Sequence, residues 1–175
     1  MSTATATKDG CKRLVRGPDG DVLLFFTGYS IFSNFNRCPF ILDGMLCQTV
    51  EQYYQAQKAR CFGDTDIYRD IITCWLPSRC KQLGKNIPNI NRDVWRSKAQ
   101  DVMMEALLAK FTQNEAARKK LLETGKAVLG EASKYDKYFG IGMGINGGRS
   151  GRQKELARKK CARRKFDEDT REARP

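Results

Sequence analysis

The sequence predicts an α+β fold, mainly helical, in a single domain with a few short strands. Three observations carry that expectation. From Asn91 onward, Trp95, Ala99, Val102, Met103, Ala106, Leu107 and Phe111 recur mostly at steps of three and four, the apolar stripe of a helix packed on a core. Thr49 followed by Gln52 has the spacing of a capping box and opens another helix. Residues 40–42 and 45–48 flank Asp43-Gly44, a pair that readily supplies the positive φ of a tight hairpin.

In chain order, residues 1–20 read as a polar, flexible leader containing the turn Gly17-Pro18-Asp19-Gly20. Residues 21–27 are short, apolar and aromatic, as suits a buried strand. A loop at 28–36 leads to the hairpin, which delivers the chain into the helix starting after Thr49. Residues 64–74 predict a second helix. A third, 77–85, starts with proline in its first turn and stops near Gly84. The long helix after Asn91 comes next, then one over 114–123 ended by Thr124-Gly125, and a strand at 127–131. A folded domain is expected over 21–148 and a basic tail over 149–175, with no internal repeat.

Composition narrows the function classes. With 175 residues and 41% of them hydrophobic, the chain is long enough for a real core. The net charge of +12 favours anionic partners, and half of the excess lies in residues 149–175, where 11 basic residues face 5 acidic ones. Histidine is absent, which excludes histidine-activated nucleophiles, histidine-bound metals and histidine acid–base chemistry. Seven cysteines (Cys11, Cys38, Cys47, Cys61, Cys74, Cys80 and Cys161) form no CxxC pair, arguing against a disulfide framework and a zinc site. No signal peptide or bilayer-length apolar run is evident, so an intracellular protein, cytoplasmic or nuclear, with no membrane partner is expected.

Two stretches could carry chemistry. Glu51 lies in the first turn of its helix, and Lys58 follows seven residues later on the same face, about 10 Å along the axis. That separation suits two groups flanking a small ligand. It also suits a capping acid and a surface lysine. The second stretch, residues 131–142, holds Asp136, Tyr138, Phe139, Gly140 and Gly142: an acid, aromatic faces for stacking on a base, and glycines that allow close backbone approach to phosphate or sugar. The alternative is a turn packed by its own aromatics.

Around these lie Ser33-Asn34-Phe35, Leu42-Asp43-Gly44, Glu51 with Tyr54-Gln55-Ala56-Gln57-Lys58, Trp95, Val102-Met103, Ala106-Leu107, Lys110-Phe111 and Asp136-Lys137-Tyr138-Phe139-Gly140. In this order, over roughly residues 22–142, the series resembles the YbiA-like NADAR family. The resemblance implies an N-glycosidase that hydrolyses a ribosyl–base nitrogen bond without metal or cofactor. Its substrates would be ADP-ribosylated guanine in DNA or ribosylamino-pyrimidine phosphate intermediates of riboflavin synthesis. It implies a site between the Glu51 helix, the Ser33 loop and the Asp136 loop. Glu51 would be acid–base or charge stabiliser, Lys58 an imine-forming nucleophile or phosphate clamp, and Asp136 a group that orients ribose hydroxyls or activates water. Ser33, Asn34, Phe35, Tyr54, Tyr138, Phe139, Gly140 and Gly142 would contact substrate. Trp95 could do so or belong to the core, while Arg92 and Lys110 could bind phosphate or solvate a surface. Phe139 stands where the family usually has tryptophan, keeping a stacking surface but losing an indole donor. After Gly142 this chain departs into Met143-Gly144-Ile145-Asn146-Gly147-Gly148 and the basic tract Arg149 to Lys165, a possible nonspecific DNA contact or nuclear-localisation signal. A different class, a basic nucleic-acid-binding module without a catalytic centre, would explain the charge and aromatics but not Glu51 and Lys58 on one face.

Overall fold

Val22 to Phe25, an apolar run too short for a helix, forms strand β2 (Val22–Phe25) in the computed structural model, which describes residues 12–15, 21–133 and 140. The chain divides into two compact units, Met1–Ser33 with Lys120–Pro175, and Asn34–Lys119. In the first, β2 pairs antiparallel with β1 (Lys12–Val15) and parallel with β5 (Val128–Glu131), giving the order β1-β2-β5. The Val128 amide donates to Asp21 at 2.8 Å and the Ala132 amide to Phe25 at 2.7 Å, extending the parallel pairing at both ends. Leu24, Phe25 and Phe32 are buried, with the two phenylalanine rings 5.8 Å apart.

Strand β1 corrects the reading of residues 1–20 as a flexible leader, at least over 12–15. Its four residues, Lys-Arg-Leu-Val, show no alternation of apolar and polar positions. Pairing with β2 supplies what the local pattern lacks. The basic tract 149–165 lies outside the described residues.

The second unit begins with the hairpin of β3 (Phe40–Leu42) and β4 (Met45–Cys47). Asp43 and Gly44 have φ of 52° and 73°, the conformation that their sequence implied. The Asp43 carboxylate also accepts from Tyr53 Oη at 2.9 Å and from Gln57 Nε2 at 3.1 Å, fastening the turn to the next helix. That helix is α1 (Val50–Cys61), and it packs against α2 (Thr65–Ile72), α3 (Pro77–Lys85) and α4 (Arg92–Gln113). Ala56, Ala59, Ile71, Cys80, Leu83 and Ile87 make the core among the first three. Helix α5 (Glu115–Glu123) follows.

Caps decide where the helices start. Thr49 Oγ1 accepts from the Gln52 amide at 3.1 Å, Asp64 Oδ1 from the Ile67 amide at 2.9 Å, and Asn91 Oδ1 from the Asp93 and Val94 amides. The expected capping box closes differently, because Gln52 Oε1 reaches the Gln48 amide, at 2.7 Å, one residue before the cap. Its Nε2 lies within hydrogen-bond distance of the carbonyls of Ile71, Ile72 and Cys74, fastening the start of α1 to the C-terminal end of α2 and the turn that follows it. Helix α2 ends two residues short of Cys74. At the other side of the hairpin, the Gln113 amide mimics a neighbouring strand, accepting from Ile41 N at 2.8 Å and donating to Ile41 O at 2.7 Å. Among the described residues, no helix is long and apolar enough to cross a membrane.

Candidate active site

Glu51 is one residue into α1, where the dipole favours a negative charge, yet it is only 5% exposed. Its backbone amide donates to the Asn34 carbonyl at 3.1 Å, tying the Asn34-Phe35 loop to the helix start. One of its carboxylate oxygens accepts from Gln55 Nε2 at 2.7 Å, one turn along. A buried carboxylate held by an amide donor is no solvated capping acid. The bland account of this face does not fit.

Two turns on, Lys58 Nζ donates to the Gly84 carbonyl at 2.8 Å, reaching the C-terminal turn of α3. Burial pulls the Lys58 pKa below its ordinary value, while the Glu51 charge partly opposes that fall. The effect is a larger share of neutral amine than a surface lysine holds at the same pH. Glu51 and Lys58 therefore share a face, feel each other's charge, and are both withdrawn from water.

Gly84 itself corrects a reading. Expected as a helix stop, it lies inside α3, which is capped by Asn86, and its backbone is not in the left-handed region. Glycine there costs roughly 1 kcal/mol relative to alanine. Close packing explains it instead, since a Cβ on Gly84 would overlap the Gln55 amide oxygen.

The aromatic candidates sort into two places. Trp95 Nε1 donates to Tyr54 Oη at 2.9 Å, with the rings edge-on at 5.0 Å; Trp95 is buried and Tyr54 half-buried. Trp95 thus orients a tyrosine that lies three residues past Glu51. Phe35 carries Lys81 Nζ 5.5 Å above its ring, a cation–π contact that adds a further basic group on α3, one turn before Gly84.

Other candidates stand apart. Lys110 is fully buried in α4, with its amine 5.2 Å over the Phe111 ring. Burial lowers its pKa to about 8, opposed by the thiol of Cys38. That removes the possibility that it merely solvates a surface. Arg92 is exposed in the first turn of α4. Ser33 is buried and belongs to the unit of Met1–Ser33 and Lys120–Pro175; its amide donates to Ser30 O at 2.9 Å. Gly140 is buried, while Asp136, Tyr138, Phe139 and Gly142 lie outside the described residues. Among those residues, no three His, Cys, Asp or Glu side chains gather as a metal site would require.

Gln55, Gly84 and Lys81 were not singled out from sequence as site residues. Gln55 could have been found from its i, i+4 relation to Glu51, and Gly84 from the anomaly of a glycine within a helical pattern. Nothing local marks Lys81.

A solved structure shares this fold, and several curated proteins share its sequence. The solution structure of Escherichia coli YbiA aligns with a TM-score of 0.65 and 30% identity, covering 88% of this chain and 89% of that one. The E. coli protein named N-glycosidase YbiA is 37% identical over 65% of this chain and 69% of its own length. An N-glycosidase of Acanthamoeba polyphaga mimivirus is 39% identical over 54% of this chain, and the nematode protein irg-1 of Caenorhabditis elegans is 34% identical over 69%. The chain spans 56% and 65% of the lengths of those last two relatives. The NADAR domain model matches residues 24–166. With most of its length inside that match, this chain belongs to the NADAR domain family.

Proposed function

We propose that this protein is an N-glycosidase that hydrolyses a ribosyl–base nitrogen bond, with ADP-ribosylated guanine in DNA as substrate. One observation carries the reading. A buried, amide-held carboxylate and a lysine with a burial-lowered pKa share one face of α1. The names of the bacterial and viral relatives support the reaction class.

Breaking a ribosyl–nitrogen bond leaves electron density on the departing base and positive charge on the anomeric carbon. Glu51 suits both ends of that separation. Ionised, it stabilises the positive carbon; entering the step protonated, it instead gives its proton to the departing oxygen or nitrogen and becomes that carboxylate. The ring opens as the lone pair of the substituted base nitrogen breaks the C1′–O4′ bond and O4′ takes a proton from the Glu51 acid. Neutral Lys58 then adds to the resulting C1′ iminium, and one of its protons passes to the base nitrogen. The base departs with its bonding pair, leaving Lys58 joined to C1′ as a protonated imine. The resulting imine takes up water, releasing the ribose aldehyde and regenerating the amine. Neutral amine is required, so turnover rises with pH through the Lys58 pKa, at a lower pH than an unburied lysine would give. The aromatic pair Tyr54–Trp95 and the Phe35–Lys81 pair offer stacking and phosphate attraction beside the reacting groups.

Release of ADP-ribose from an ADP-ribosylated guanine oligonucleotide tests this reading, with a ribosylamino-pyrimidine phosphate run alongside to decide the leaving group. No release from either overturns it. Borohydride added during turnover should fix a ribosyl adduct on Lys58. Lys58→Arg keeps the charge but does not readily supply a neutral amine, so it should bind ADP-ribose, lose turnover and trap nothing. An active Lys58→Arg with no adduct in the unaltered protein would leave direct attack by water, assisted by Glu51, as the chemistry.

A further inference from the structure

The two reacting groups proposed on α1 are referred to a single residue of α3. Lys58 Nζ hydrogen-bonds to the Gly84 carbonyl at 2.8 Å. Glu51 is held by Gln55 Nε2 at 2.7 Å, and Gln55 lies directly on the Cα of Gly84. A Cβ added to Gly84 would overlap the Gln55 amide oxygen and come within 2.6 Å of its Cδ and 3.2 Å of its Cγ. Gln55 is buried, so its amide has no open solvent to swing into.

The direction of the amide follows from hydrogen bonding. Gln55 presents its nitrogen to Glu51, the direction that suits an ionised carboxylate because such a group only accepts. Its oxygen is thereby turned onto Gly84, where it is buried without a hydrogen-bond partner among the described residues. A buried oxygen left in this state calls for an explanation. Committing the donor end to Glu51 is that explanation.

We infer that Gln55 is the positioning residue for Glu51, and that the bare Cα of Gly84 is what allows it, so that one glycine sets carboxylate and amine in a common frame. The inference rests on Glu51 and Lys58 being the reacting groups, but the geometry can be tested apart from turnover. A donor aimed at the carboxylate favours its ionised form. Removing the donor should therefore raise the pH at which Glu51 titrates, and displacing it from the Gly84 side should do the same.

The experiment follows the Glu51 carboxyl carbon by NMR in the full-length protein labelled with 13C-glutamate, with the resonance assigned by its loss in Glu51→Gln. Gln55→Met, which keeps length and packing but has no donor, should raise the Glu51 midpoint by on the order of one pH unit. Gly84→Ala should raise it too. In Gln55→Ala, where room for a methyl has opened, adding Gly84→Ala should shift the midpoint no further. An unchanged midpoint in both Gln55 variants overturns the inference, as does a Gly84→Ala shift of equal size with and without Gln55. Turnover then separates the two levels. If Glu51→Gln stays fully active while the midpoints move as described, the catalytic reading fails and the positioning geometry stands. If Glu51→Gln is inactive and the midpoints do not move, the reverse holds.

Discussion

Helices α1 and α4 are both largely buried on one side, and they bury opposite kinds of surface. Helix α4 hides Trp95, Ala99, Met103, Ala106, Ala109 and Phe111, with Lys110 as its one charged exception. Helix α1 hides Glu51, Gln52 and Gln55 beside Val50, Tyr53, Ala56 and Ala59. Apolar burial is favourable by itself, at roughly 25 cal/mol per Å² removed from water. Polar burial costs free energy wherever a group finds no partner, as the Gln55 amide oxygen finds none among the described residues. In α1 the partners are specific: Gln52 fastens to the end of α2, and Gln55 holds Glu51. The contrast teaches that α4 buries what stabilises it by itself, whereas α1 buries polar groups at a cost, which is what the chemistry proposed on its face would require.

Substitutions on the two faces should therefore fail in different ways. The largest expected effect is on α1. Glu51→Gln should fold and lose about 10²–10⁴-fold in turnover, the usual contribution of a general acid–base group, read as ADP-ribose release by a variant with unaltered circular dichroism. Normal turnover would leave Glu51 a buried structural acid with no part in the reaction and erase the contrast.

Met103→Ala on α4 should do the opposite. Deleting a buried methionine side chain leaves a cavity, so urea unfolding should show about 2–5 kcal/mol of lost stability, while turnover of the remaining folded protein stays near normal. A large fall in turnover with little loss of stability would mean that α4 serves the site directly.

The smallest effect sharpens the exception. Lys110 loses its proton near pH 8 in the folded protein, but an unfolded lysine keeps it to about pH 10.4. Between those values the unfolded chain binds more protons, so this residue makes stability rise with pH, by at most about 1.4 kcal/mol per pH unit. Below pH 8 that contribution is lost. Lys110→Met should remove this slope, so the stability difference between variant and unaltered protein should change between pH 8 and 10 and be flat from 6 to 7. The comparison with Lys110→Met matters because burial raises the pKa of Cys38, and of Cys47 and Cys80 to about 12, and these thiols push the slope the other way above pH 9. Identical pH profiles for the two proteins would show that Lys110 does not titrate there.

What the sequence determined by itself was whatever rests on local chemistry. The stripe of α4 follows from a period that depends on helix geometry alone, and the Asp43-Gly44 turn from backbone sterics. Thr49 and Asn91 cap their helices as their side chains dictate. The ordered motifs from Ser33 to Gly140 likewise carried the family. Glu51 and Lys58 could be placed on one face because seven residues make nearly two turns.

Only the tertiary structure decided what those groups experience. Strand β1 exists because β2 pairs with it, and no pattern in Lys12–Val15 announces that. Burial of Glu51, Lys58 and Lys110 depends on neighbouring helices, so an exposed and a withdrawn charge read alike in sequence. The reach of Gln52 to the end of α2 spans about twenty residues, and that of Lys58 to Gly84 spans 26. Gly84 shows the limit most clearly: the absence of a side chain looks the same whether it permits a turn or a close approach, and only the packed position of Gln55 tells which.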